Sequence, residues 1–307
     1  MPSPPGGTFA TFRADDGAVL RYAFWPRPTP RGTVVMLGGF TEFIEKHFET
    51  IGDLLSRDFA VAALDWRSQG LSQRSLANRQ KIHATSFRRY ADDLEQFIET
   101  RVAPTLPGPI LLLGHSMGGH IALRYLHNRP PAIIGAVLSA PMLDIALPTR
   151  LRWLIGAIID TGVGLGFSDA YAPGSRDYGS HKQVFDGNRL TSDPRRFAAT
   201  HAQIAANPDL ASGGATYGWL KAALRSIALF EDRAYLDGFR TPVCIVQAGE
   251  DRIVSNSAQD RFAARVACCE LHRIDGARHE LLKESDPLRD EFWRVFDDFS
   301  RRILNEA

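Results

Sequence analysis

Residues 109–126 read PILLLGHSMGGHIALRYL, and no other stretch constrains the fold as tightly. Ile110 to Leu113 are four apolar residues in a row, enough for a buried strand. Ile121, Leu123, Tyr125 and Leu126 belong to a helix. Only Gly114-His115-Ser116-Met117-Gly118 lies between them, so the chain must leave a strand and enter a helix within a G-x-S-x-G pentapeptide. Such a turn puts Ser116 in a strained conformation, and Gly114 and Gly118 are expected where a Cβ would clash. The helix that begins beside Ser116 aims its N-terminal amides and positive dipole end at any oxyanion forming there.

A serine hydroxyl is a weak nucleophile, so a base and an orienting acid must stand within hydrogen-bond reach. On this kind of turn they follow in the chain order serine, acid, histidine. After the apolar run Val243–Val246 comes GEDRIV, which places Asp251 on a loop at a strand's C-terminal end. After Glu270–Ile274 comes DGARHELLKE, which places His279 on the next loop. Loops that follow neighbouring parallel strands share one edge of the sheet, so both side chains can converge on Ser116. Glu250, Asp275 and Asp144 compete with Asp251 for the acid. His115 is expected to point away from the nucleophile, and His83, His181 and His201 to have solvated or packing roles. A second oxyanion donor should come from Gly38-Gly39-Phe40, after the Val34–Leu37 run, with the Phe40 amide joining that of Met117.

The rest of the chain supports an α/β fold. Thr8–Ala14 and Val19–Trp25 alternate around Asp16-Gly17, a hairpin signal. Short apolar runs then alternate with helical patterns, at Val34–Leu37, Ala60–Leu64, Ile110–Leu113, Ala136–Leu138, Val243–Val246 and Glu270–Ile274. Ile44, Phe48, Ile51 and Leu55 share one helix face, as do Phe87, Tyr90, Ala91, Leu94, Phe97 and Ile98. Continuous apolar strands between amphipathic helices predict a mostly parallel sheet with helices on both faces. A last helix, opened by Asp286-Pro287, repeats Leu288, Phe292, Val295, Phe296 and Phe299. About a hundred residues separate the Ala136–Leu138 and Val243–Val246 runs, where a crossover needs only a dozen or so plus its loops. We therefore expect residues 1–141 and 236–307 to form the core, and 142–235 an inserted helical cap.

Composition narrows the partners. Lys and Arg number 36 against 35 Asp and Glu, a formal charge of +1, without the basic excess that nucleic-acid binding needs. Three cysteines without zinc spacing predict free thiols rather than a disulfide framework. The N-terminus lacks a signal-peptide pattern, and no run of about 18 uncharged apolar residues occurs, so a cytoplasmic chain is expected. There is no phosphate-binding G-x-x-x-x-G-K-[ST] motif, and HELLK lacks the second histidine of a zinc helix, so neither cofactor nor metal is expected. Leu151–Phe167 is dense in apolar residues, including Trp153, Leu154, Ile155, Ile158 and Ile159. It either packs the cap, lines an acyl pocket or meets a membrane surface peripherally.

Several stretches together resemble the α/β-hydrolases of the monoacylglycerol lipase and bacterial lysophospholipase group, the serine aminopeptidase-like set. They are LGGFTEFIEKHFE at 37–49, ALDWRSQGLSQR at 63–74, the GHSMGGH elbow, NRLTSDPRRF at 188–197, TYGWL at 216–220, AGEDRIV at 248–254 and GARHELLKESD at 276–286. The group usually has His-Gly in its oxyanion loop, where Gly39 here replaces the histidine. The resemblance implies a small-molecule acyl ester as substrate, a monoacylglycerol or lysophospholipid, cleaved through an acyl-enzyme. A small-ester carboxylesterase or a carbon–carbon bond hydrolase would use the same triad with another pocket. A silent ligand-binding member would not react with a fluorophosphonate.

Overall fold

The hairpin expected at Asp16-Gly17 opens the sheet. Strands β1 (Thr8–Arg13) and β2 (Val19–Trp25) pair antiparallel, from Thr8 opposite Phe24 to Arg13 opposite Val19. The computed structural model describes residues 2–128, 130–146 and 152–306. Strands β3 (Thr33–Leu37), β4 (Ala60–Leu64), β5 (Ile110–His115), β6 (Ile133–Ser139), β7 (Val243–Ala248) and β8 (Cys269–Ile274) complete an eight-stranded sheet in the order β1-β2-β4-β3-β5-β6-β7-β8. β2 meets β4 antiparallel, and every pairing from β4 to β8 is parallel.

Every residue of β3, β4 and β5 is buried, which requires cover on both faces and accounts for their unbroken apolar sequences. Helices α1 (Phe48–Ser56), α2 (Arg88–Phe97) and α3 (Met117–Leu126) supply part of that cover. Two predicted helices are less regular than their periodicity suggested. Ile44–His47 is a 3₁₀ turn before α1, and its tighter winding turns Lys46 and His47 inward. α2 runs on into a π-helical turn at Ile98–Val102.

Between β6 and β7 the chain forms α4 (Arg152–Gly164), α5 (Pro194–Ala206) and α6 (Tyr217–Ala228), with irregular segments between them. Asp193 caps α5 by accepting the amides of Arg195 and Arg196, and Thr216 caps α6. Arg196 then bonds Glu49 and Asp286, joining α5 to the ends of two helices of the sheet layer. Trp219 of α6 is buried with its ring 4.5 Å from that of Phe40. α4 behaves differently: Ile159 is buried, while Trp153 is 74% exposed and Leu154 and Ile158 are exposed too. Leu151, grouped with them from the sequence, lies outside the described residues.

After β7 come α7 (Asn256–Arg265), β8 and the long α8 (Asp286–Glu306). α8 buries Phe292, Phe296, Phe299 and Ile303, and packs on β6, β7 and β8. The three cysteines are free, as the sequence predicted.

Candidate active site

Strand register brings the site together. Leu37 pairs with Gly114, so the Gly38–Phe40 loop leaves the sheet beside the elbow. His115 pairs with Ser139, and Ala248 with Ile274, so the loops after β5, β7 and β8 emerge at one edge. At that edge Ser116 has φ +50° and ψ −114°, a left-handed conformation costly for a residue with a Cβ. It is pinned from both sides: its N–H donates to the Ser139 carbonyl at 3.0 Å, and its carbonyl accepts the Met142 amide at 3.0 Å. A Cβ on Gly118 would lie 2.2 Å from the Leu37 carbonyl oxygen, so no larger residue fits there.

His279 bridges the other two polar groups. Its Nε2 lies 2.9 Å from Ser116 Oγ and its Nδ1 2.7 Å from Asp251 Oδ2. A carboxylate can only accept, so Nδ1 carries the proton and Nε2 is left to accept from the serine hydroxyl. The other oxygen of Asp251 accepts the amides of Ile253 and Val254, at 2.8 and 3.0 Å. Burial opposes its ionisation, but these bonds and His279 outweigh it and hold the carboxyl below its usual range.

Two of the competing acids are engaged elsewhere. Asp144 pairs with Arg152 and accepts the Ile145 amide. Asp275 pairs with Arg273. Glu250 is exposed. Of the histidines, His83 turns to Thr216 and Asp169.

His115 departs from expectation. It stands in the site, 4.9 Å from the His279 ring, with Nδ1 3.2 Å from the Ser139 carbonyl. Burial, with the nearby His279, lowers its pKa to about 4 against the pull of Glu42, so the ring is neutral at physiological pH. His181 is exposed and His201 packs against Phe197, with Nδ1 2.7 Å from the Tyr178 hydroxyl, as expected, and both also line the cavity over Ser116.

Sequence reasoning missed a buried charged cluster beneath the Gly38–Phe40 loop. Glu42 accepts the Gly39 amide, pairs with Lys46 at 2.7 Å and lies 3.1 Å from His47 Nε2. Lys46 also holds Glu280, the neighbour of His279, at 2.7 Å. Burial works against the charge on Glu42, yet Lys46 and the histidines keep its carboxyl well below the ordinary value. A Cβ on Gly39 would come within 3.1–3.2 Å of His115, Glu42 and Ser116, so the space a side chain would need is already crowded. The i,i+4 spacing of Glu42 and Lys46 inside an apolar stretch was the available signal.

A thiol, a carboxylate and an imidazole, from Cys244, Glu270 and His272, lie within 4.8 Å of one another on β7 and β8. Arg302 already holds Glu270 at 2.7 Å, and burial raises the Cys244 pKa away from the thiolate that a metal would need.

An eight-stranded, mostly parallel sheet with a serine at a left-handed strand-to-helix elbow defines the α/β-hydrolase class. Within it, the Hydrolase_4 model (serine aminopeptidase, S33) matches residues 28–286, and the chain belongs to that family. It is 29% identical over 306 residues to lysophospholipase L2 of Escherichia coli K12, covering 95% of this chain and 87% of that protein. It is 31% identical over 271 residues to a probable lysophospholipase L2 of Haemophilus influenzae, covering 88% and 83%. In fold it resembles a soluble variant of Saccharomyces cerevisiae monoglyceride lipase solved with a substrate analog (TM-score 0.73, 23% identity, 100% and 97% covered).

Proposed function

We propose that this chain hydrolyses the carboxylic ester of single-chain acyl lipids through a serine acyl-enzyme. The observation that carries the reading is the unbroken relay from Asp251 through His279 to Ser116 Oγ on the elbow. In this reading Ser116 attacks the carbonyl carbon while His279 Nε2 takes its proton. The tetrahedral oxyanion is met by the amides of Phe40 and Met117. His279 returns the proton to the leaving alcohol, then activates the water that releases the acid. Asp251 keeps the imidazole in the required tautomer and stabilises the imidazolium.

The lipid substrate is supported by the relatives' activities and by the cavity over Ser116, about 740 Å³, where Phe43, Leu190, Phe197 and Ile204 offer apolar wall. Residues 142–235, which supply much of that wall, act as a cap over the core formed by 1–141 and 236–307. Among the described residues no helix is long and apolar enough to cross a membrane. The exposed Trp153, Leu154, Ile158, Leu165 and Phe167 instead make a peripheral surface through which the cap meets lipid.

The test is a panel of monoacylglycerols, lysophospholipids and short p-nitrophenyl esters, run on wild type and Ser116→Ala. Turnover of long-chain esters, lost by about three orders of magnitude or more in the variant, is the expected result. Activity retained in Ser116→Ala would refute the nucleophile.

A further inference from the structure

Two cavities open on Ser116, one of about 740 Å³ and one of about 440 Å³. Phe40, Ser116, His181, Lys182 and Ile253 line both. Among the described residues, the smaller cavity has Arg176, His181 and Lys182 in its wall and no Asp or Glu.

Lys182 is the telling residue. Its ammonium donates to the carbonyl oxygens of Gly213 at 2.6 Å and Ser212 at 3.3 Å, which leaves one of its three hydrogens free. No carboxylate lies within ion-pair distance of it among the described residues. Burial lowers its pKa, and no anion offsets that penalty. His181 is also held below its ordinary value, first by desolvation and then by Arg176 and Lys182, so the three groups share one field. Lys46 makes the contrast: on the wall of the larger cavity, it is met by both Glu42 and Glu280. A desolvated cation without a counter-charge is a costly arrangement unless a ligand supplies the anion.

We propose that Lys182, with His181 and Arg176, forms a subsite for the phosphate of the substrate's head group. The lipid cleaved at Ser116 then carries a phosphodiester in its head group. The assignment rests on the ester-hydrolase reading above and narrows its substrate to the phosphate-bearing class. A guanidinium or ammonium bonded to phosphate is a charge-assisted pair, stronger than the neutral bonds that a monoacylglycerol's hydroxyls could make there.

The test compares lysophosphatidylcholine and monoacylglycerol of the same acyl chain, with p-nitrophenyl butyrate as a head-group-free ester. Wild type should show the higher kcat/KM on lysophosphatidylcholine. Lys182→Gln should cut the lysophosphatidylcholine-to-monoacylglycerol ratio by about ten- to a hundredfold, the worth of one lost bond to a charged group, chiefly through KM. Lys182→Arg should recover most of it. The pair Arg176→Gln with His181→Ala, both at exposed positions, should lower the same ratio without challenging the fold. Glycerol 3-phosphate should compete with p-nitrophenyl butyrate in wild type and weaken as an inhibitor in Lys182→Gln. A wild-type preference for monoacylglycerol, or a ratio unmoved by Lys182→Gln, overturns the subsite while p-nitrophenyl butyrate turnover leaves the hydrolase reading standing. Failure to cleave any of the three esters overturns the hydrolase reading itself.

Discussion

Replacing Glu42 with Gln asks how the oxyanion loop is held. The change conserves size and one acceptor oxygen, but removes a buried charge shared by the Gly39 amide, Lys46 at 2.7 Å and His47 at 3.1 Å. One end of the new amide must face either the Gly39 N–H or the Lys46 ammonium, so a donor meets a donor in either orientation. Lys46 keeps Glu280, which makes the 3–5 kcal/mol seen when a buried pair loses one member an upper bound. The expected loss is that of one hydrogen bond to a charged group, about 1.5–3 kcal/mol. At about 2–4 °C per kcal/mol for a large domain, Tm should fall by roughly 3–12 °C. The loop should loosen as well. Once the Gly39 amide loses its anchor, the neighbouring Phe40 amide no longer points at a fixed place. Losing an oxyanion donor outright costs about 10²–10³ in kcat, which is the ceiling for a donor misplaced rather than deleted. Urea denaturation together with p-nitrophenyl butyrate kinetics reads both effects. An unchanged urea midpoint with an unchanged kcat would refute the idea that this buried carboxylate secures the loop.

Asp251→Asn should preserve the fold and lower kcat by about 10⁴, because an amide facing Nδ1 favours the wrong imidazole tautomer. Asp144→Asn and Glu250→Gln should leave kcat within a few fold, and steady-state kinetics on the three variants would expose a misassigned acid. Burial holds His115 at about 4 and His120 at about 3, so the unfolded chain binds protons that the fold refuses. Stability from this source is therefore full above the ordinary histidine pKa of about 6.5 and is lost as pH falls from there through the folded values. A denaturant midpoint flat between pH 7 and 4 would contradict it. Trp153→Ser with Ile158→Ser, at exposed positions of α4, should leave Tm nearly unchanged and weaken turnover of long-chain substrates on vesicles while sparing short esters. A drop of several degrees in Tm would place those side chains in a packed core instead.

What was legible in the sequence is what is local. The elbow shows because strand, turn and helix are contiguous in eighteen residues, and a G-x-S-x-G pentapeptide has few other ways to join them. That Asp251 and His279 lie together beside Ser116 was legible through the parallel sheet, since each follows an apolar run and loops after such runs share an edge. His115 was misjudged because direction at a left-handed turn depends on dihedral angles that composition does not carry. The bond from Lys46 to Glu280 spans 234 residues, and neither partner's neighbourhood reveals the other. The pair of cavities was equally hidden, because their walls come from irregular segments such as 174–190 that show no periodicity. The apolar density of α4 was visible, but whether Trp153 faced core or solvent became clear only from the packing.

The contact between His279 and Ser116 joins residues 163 positions apart. Its histidine sits just beyond β8, a strand with a single neighbour and a half-exposed surface. The proposed relay therefore cannot be complete until that edge strand has docked, a long-range pairing of the kind that tends to slow folding. Fraying at that edge would also remove it. Under rising denaturant, or on a nascent chain still held at its C-terminus, most of the sheet can stand while the relay is open. Catalysis then reports on the final step of assembly, and it should vanish before circular dichroism registers any loss of helix.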